Sequence, residues 1–164
     1  MVGSLVAHKA KSLIGVDASL PMLERARVTG LYQHLQHGDL VAFMKEQTDR
    51  CDAVTCAATL IHFGDLRSAF EAVASSLRDQ GLFILTLFPN ENEDDVAVNA
   101  SDGWIQGGCF KHGRNYVRRL AETTGFSVEA IETGIHEYYE QKPIMSLVIA
   151  LRRVKAAGSH ASAA

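Results

Sequence analysis

Apolar positions along the chain recur with two different spacings, and the changes of spacing mark its elements. Leu66, Ala69, Phe70, Val73, Ala74 and Leu77 repeat at three and four residues, which predicts a helix with one buried stripe, and Asp65 stands ahead of it as a cap. Asp79-Gln80-Gly81 then turns the backbone, and Leu82 to Phe88 is an apolar run too short for a helix and closed by Pro89, so it reads as a buried strand. Asp52 to Ala58 is a continuous small or apolar run with β-branched Val54 and Thr55, the pattern of a central strand covered on both faces. Gly113 to Thr124 predicts a helix facing inward with Tyr116, Val117, Leu120 and Ala121, and Gly125 stops it. Phe126 to Glu132 and Ile144 to Leu151 read as strands. The connection around Gly134 to Pro143, about a dozen residues, is too short to favour a helical crossover, so the pair is expected to be antiparallel. Val54, Ile84 and Ile149 are expected to be buried.

The first third alternates in the same way. Val2 to Lys11 predicts a short helix, and Leu13 to Val16 a strand that Asp17 ends. Ser19 is an N-cap, Pro21 lies in the first turn where its missing N–H is harmless, and Met22, Leu23 and Ala26 form a stripe that Gly30 terminates. Tyr32 to Gln36 is a further strand, ending in His37-Gly38-Asp39-Leu40, and Leu40 to Gln47 a brief helix. Asn90 to Gly108 is polar, acidic and without period, a long loop over one end of the sheet. Val154 to Ala164, rich in alanine, serine and glycine, is expected to be a disordered tail after a single domain over residues 1–153.

Composition narrows the classes. The 164 residues, 47% of them hydrophobic, suit one domain with a true core. A net charge of -3 and a pI near 6.1 give no global basic surface, so nucleic acid is not favoured as a partner. Three cysteines without paired spacing suggest reduced thiols and a cytoplasmic setting, and no run is apolar and long enough to span a membrane. The cysteines and histidines match no compact zinc pattern, so no metal site is expected, nor a nucleophilic pair of Cys109 with His112.

Candidate chemistry gathers where strands end. In a parallel α/β sheet a carboxylate at the carboxyl end of a strand can accept hydrogen bonds from both hydroxyls of a ribose. Asp17 is placed for that, or merely to cap the following turn, and Asp39 is a second strand-terminal carboxylate.

The order of signals, strand with terminal Asp17, strand with Gly38-Asp39-Leu40, buried strand, helix, Gly81-led strand, helix and antiparallel pair, resembles a class I S-adenosylmethionine-dependent methyltransferase. Gly15-Val16-Asp17-Ala18-Ser19 with Met22-Leu23, Phe63-Gly64-Asp65-Leu66, and Lys111-His112 ahead of Tyr116-Val117 are similar to the methyltransferase domains found after tetratricopeptide repeats. The resemblance runs from about Val2 to Arg153 and implies a Rossmann-like, mostly parallel sheet with helices on both faces and an antiparallel C-terminal strand pair. It also implies S-adenosylmethionine as cofactor, with Asp17 on the ribose, Ala18 and Met22 near the adenosine, Asp39 and Leu40 flanking the adenine, and Ala57 and Ala58 along the methionine moiety.

The chain departs from that family at four places. The first strand and its glycine-rich loop, expected ahead of Val2, are absent, which suggests an N-terminally truncated domain or a degenerate relative. Ala58 and Phe88 stand where relatives carry carboxylates, and Cys109 where arginine is usual. Methyl transfer from a sulfonium needs a positioned nucleophile and a group to take its proton. His62 and His112 are the candidates for that base or for a substrate anchor, since neutral imidazole accepts a proton near neutral pH. The expected function is methyl transfer to an unidentified acceptor, the alternative a non-catalytic binding or scaffold module. The gap left by the missing strand is expected to expose apolar surface on Leu13 to Val16 and on Asp52 to Ala57 unless the sheet closes up, with a homo-oligomer as the expected cover.

Overall fold

The computed structural model describes residues 2–95, 98–99 and 109–155. In chain order these form α1 (Val2–Val6), β1 (Ile14–Asp17), α2 (Leu20–Val28), β2 (His34–His37), α3 (Leu40–Lys45), β3 (Cys51–Cys56), a 3₁₀ turn (Leu60–His62), α4 (Arg67–Ser76), β4 (Leu77–Pro89), β5 (Val98–Asn99), β6 (Phe110–His112), α5 (Arg114–Thr123), β7 (Phe126–Tyr139) and β8 (Lys142–Arg153). The architecture is α/β, with mostly parallel strands and an antiparallel pair at the C-terminus.

β4 is the spine. β3 runs parallel to it, with Val54 opposite Phe83, and β6 joins it in parallel at Phe88 and Pro89. β8 lies antiparallel against β4, with Leu85 opposite Ile149, and β7 closes the sheet antiparallel to β8. β1 and β2 pair in parallel as a separate two-stranded sheet. The turn between β7 and β8 is tighter than the sequence predicts. Glu140 and Gln141 both take positive φ, 46° and 64°, the two-residue geometry that matches the twist of an antiparallel ribbon and lets both strands run much longer than expected.

The helical stripe of α4 is buried as its spacing predicts, with Leu66, Ala69, Phe70, Val73 and Leu77 inaccessible to solvent. Phe70 meets Phe83 edge-on at 5.4 Å and Phe126 at 6.1 Å, and α5 adds Val117, Leu120 and Ala121 to the same core. Pairs of this geometry contribute about 0.5–1.5 kcal/mol each beyond their burial. Gly125 ends α5 at φ 81°, where a side chain would meet the Arg153 guanidinium 2.2 Å away; that guanidinium donates to the carbonyls of Gly125 and Ala74 and so ties the ends of both helices to β8.

Two expectations about burial are corrected. Val54 and Ile149 are buried, but Ile84 is 38% exposed: Phe83 and Leu85 turn toward α4 and α5, and strand alternation sends Ile84 to the other face beside Val148, 41% exposed. For the same reason β3 is not covered on both faces, since Val54 and Cys56 are buried while Ala53 and Thr55 are exposed. At the C-terminal end, Val154 and Lys155 are hydrogen-bonded to the Gly125 carbonyl and the Asp79 carboxylate. The rest of the expected tail, 156–164, and much of the expected loop after Asp95 lie outside the described residues.

Candidate functional site

Most of the candidate residues lie at or just after the carboxyl ends of strands, in two groups: Asp17, Ala18, Asp39 and Leu40 at β1 and β2, and Ala57, Ala58, His62 and His112 at β3 and β6. Asp17 is the last residue of β1 and lies opposite His37, the last of β2. Its Oδ1 accepts the Ser19 N–H at 2.8 Å, and the Ser19 hydroxyl in turn caps α2 by accepting from Met22 N–H at 3.4 Å. The capping and ligand readings of Asp17 are thus compatible, because one carboxylate oxygen holds the turn and fixes the direction of the group. The next turn is tied to this one: Gly38 N–H donates to the Asp17 carbonyl at 3.1 Å, and His37 Nε2 to the Ala18 carbonyl at 3.0 Å. A side chain at Gly38 would meet nothing within 4 Å, so open space adjoins both strand ends. Asp39 caps α3 through Ala42 N–H at 2.8 Å. Leu40 packs against the main core, whereas Met22 is 43% exposed at the start of α2.

Beyond β3 the backbone is strained. Ala58 takes φ 56°, and its N–H donates to the Thr86 hydroxyl of β4 at 2.9 Å, while the Ala57 carbonyl accepts from the Thr59 hydroxyl at 3.3 Å. This turn leads into the 3₁₀ segment that carries His62. His62 Nδ1 lies 3.6 Å from Cys109 Sγ, just before β6, and burial pushes the Cys109 thiol pKa up, so the sulfur keeps its proton. Under this pair, Ile61, Phe88 and Ile144 form a second apolar cluster with Cys109 against it, and the Phe88 ring meets His136 edge-on at 5.4 Å.

His112 is placed differently. Its side chain is fully buried, stacked on Tyr116 at 6.0 Å, with Nε2 3.1 Å from the Gly64 carbonyl. A carbonyl only accepts, so Nε2 carries the proton. Burial lowers the His112 pKa, with the carbonyls of Gly64 and Phe63 opposing the shift. The imidazole that Cys109 faces is that of His62. Sequence reasoning also misses Thr86, which ties the Ala58 turn, and Tyr116, whose inward position was legible from helical spacing but whose hydroxyl bonds were not. Among the described residues no group of three or more histidines, cysteines and acidic residues is placed to hold a metal. No described helix is long and apolar enough to cross a membrane.

The fold is shared with solved methyltransferases. An S-adenosylmethionine-dependent methyltransferase from Methanosarcina mazei superposes with a TM-score of 0.71 at 14% identity, covering 93% of this chain and 87% of the other. The 1,6-didemethyltoxoflavin-N1-methyltransferase of Burkholderia thailandensis, solved with 1,6-didemethyltoxoflavin and S-adenosylhomocysteine, gives a TM-score of 0.66 at 14% identity over 87% of this chain and 61% of its own. An S-adenosylmethionine-dependent methyltransferase from Mesorhizobium loti gives 0.65 at 19% identity, over 88% and 81%. No curated protein matches the sequence. A family model described as a methyltransferase domain matches residues 2–85, just over half of the chain. The chain therefore belongs to the methyltransferase domain family, and its fold is that of the class I S-adenosylmethionine-dependent enzymes.

Proposed function

We propose that this chain transfers a methyl group from S-adenosylmethionine to an acceptor held beside the 3₁₀ turn, with the cofactor along the carboxyl ends of β1, β2 and β3. The observation that carries the reading is the pair of strand-terminal carboxylates, Asp17 and Asp39, each oriented by a backbone N–H and set on either side of the open space at Gly38. Acceptor-only groups in that arrangement fit the ribose hydroxyls and the donors of an adenine edge. Ala18 and Met22 would line the adenosine, Leu40 the adenine, and Ala57 with Ala58 the methionine part, where small side chains let a ligand approach the backbone.

S-adenosylmethionine supplies, when bound, an electrophilic methyl on a sulfonium. The chain's own task is to orient the acceptor and receive its proton. His62 is the residue for that. Nδ1 pairs with the Cys109 sulfur, and the tautomer that carries its proton on Nδ1 would use Nε2 as the base or anchor. His112, fully buried with Nε2 committed to Gly64, contributes from behind the site rather than by touching the acceptor. A second copy of the chain is proposed to cover the apolar surface beside the gap, on residues 13–16 and 52–57, where Ile14 is 45% exposed, and with it the exposed sheet face that carries Ile84 and Val148.

Calorimetry with S-adenosylhomocysteine tests the cofactor reading. Saturable binding that Asp17→Asn weakens supports it. Absence of binding by the folded chain would leave a non-catalytic module of the same fold.

A further inference from the structure

Four residues, Phe63 to Leu66, join the 3₁₀ turn to α4, and they hang from the β6–α5 corner by three side-chain hydrogen bonds. His112 Nε2–H donates to the Gly64 carbonyl at 3.1 Å. The Tyr116 hydroxyl accepts the Leu66 N–H at 3.1 Å and donates to Asp65 Oδ1 at 3.2 Å. The same Asp65 oxygen accepts Arg67 N–H at 3.0 Å, so it starts α4 and anchors the segment together. The two rings are themselves stacked, 20° from parallel with centroids 6.0 Å apart. Gly64 is pressed against Phe110 closely enough that a side chain there would sit 3.3 Å from the ring. Upstream, Phe63 N–H closes the turn on the Leu60 carbonyl at 3.1 Å, and Leu60, Ile61 and Leu66 are buried. His62 stands directly between the buried Ile61 and the clamped segment.

We infer that His112 and Tyr116 are positioning residues: by gripping Gly64, Asp65 and Leu66 from β6 and α5 they set the direction in which the His62 imidazole faces Cys109 and the acceptor. The inference rests on the assignment of His62 under Proposed function for its catalytic meaning, but its geometric content does not. Nothing in it needs His112 to exchange a proton with the acceptor. Both residues act through the backbone of the segment next to His62, and a change at either one reaches His62 without touching it.

Cys109 is a built-in reporter of where His62 lies. In full-length protein carrying Cys51→Ser, with Cys56 buried, iodoacetamide reads the Cys109 thiol, and the rate in His62→Ala gives the value for a thiol that has lost its imidazole neighbour. Tyr116→Phe and His112→Leu should each move the alkylation rate away from the parent and toward the His62→Ala value, by roughly threefold or more, because thiol reactivity follows its immediate polar neighbours. His112→Gln keeps an N–H donor for the Gly64 carbonyl and should stay closer to the parent than His112→Leu does. Tyr116→Phe keeps the ring and is the variant to rely on if His112→Leu does not fold. S-adenosylhomocysteine affinity, read at the β1 and β2 ends, should be unchanged in Tyr116→Phe; loss of all cofactor binding in the parent would count against the cofactor site alone. Parent-like alkylation in Tyr116→Phe would overturn the inference. So would an equal rate in His62→Ala and the parent, since the contact it is built on would then be absent.

Discussion

Ala58 N–H donates to the Thr86 hydroxyl at 2.9 Å while Ala58 itself sits in the left-handed region at φ 56°. The turn after β3 is therefore held in a conformation that alanine adopts at a cost, and the strand beside it supplies the bond that keeps it there. Left-handed backbone at a residue with a Cβ costs about 1–2 kcal/mol, which a single neutral hydrogen bond worth about 0.5–1.5 kcal/mol only partly offsets. Ala58→Gly should leave stability unchanged or raise it by up to about 1 kcal/mol, the strain relieved being larger than the added chain entropy. Thr86→Val should lower stability by about 1 kcal/mol, and Thr86→Ser should restore most of it. Urea titrations of the three variants check both statements, and a stabilised Thr86→Val would show that the hydroxyl does not hold the turn.

Asp17 separates its two roles by atom. Asp17→Asn retains an oxygen for the Ser19 N–H, so the start of α2 should survive with a change in stability under about 0.5 kcal/mol. The same substitution removes the charge that would face a ribose. A charge-assisted pair of bonds contributes on the order of 1.5–3 kcal/mol, so S-adenosylhomocysteine should bind about one to two decades more weakly. Calorimetry beside a thermal melt makes the comparison. Unchanged affinity would take the ribose role away from Asp17.

The ends of the parallel strands were legible in the sequence because strand-terminal carboxylates and glycines are local signals. Asp17, Gly38 and Asp39 announce themselves within five residues of a short apolar run. The buried stripe of α4 was equally clear, since helical spacing needs no knowledge of partners. Thr86 was not legible. It lies inside an apolar run as an ordinary β-branched residue, and its value comes from the register that sets β3 beside β4. Cys109 and His62 are 47 positions apart and meet only because β6 joins β4 at Phe88, a pairing of two residues with no sequence signature. The exposure of Ile84 is hidden in the sequence for a related reason: a run of apolar residues does not say which face of the sheet a helix will cover.

The lowered pKa of His112 makes part of the stability depend on pH. Burial disfavours the charged ring in the folded protein, so between the depressed native value and the ordinary value of 6.5 the unfolded chain binds more protons than the folded one. The contribution is fully present above about pH 6.5 and is lost as pH falls through the native value. Stability should therefore decline on acidification below that point, and His112→Gln, which has no proton to bind, should show a shallower decline over the same window. Denaturant midpoints collected from pH 7.5 down to 5 decide this; parallel curves for the two proteins would mean that the ring is not buried neutral.

The exposed face of the β4–β8 ladder makes the association of two copies testable. Ile84 and Val148 stand on it at 38% and 41% exposure, where the alternate residues Phe83, Leu85, Leu147 and Ile149 are buried under α4 and α5. A sheet face whose β-branched side chains are this exposed is a surface that water opposes, and burying it against a copy of itself would be worth about 25 cal/mol for each Å² removed. A lysine on that face adds a charge whose burial in the contact is costly, while its long stem still lies comfortably on an open sheet. Multi-angle light scattering across a dilution series should find a concentration-dependent dimer for the parent chain and a monomer for Val148→Lys, with matching far-ultraviolet circular dichroism. A parent chain that stays monomeric throughout would show that the face remains open to water and would remove the second copy from the proposal.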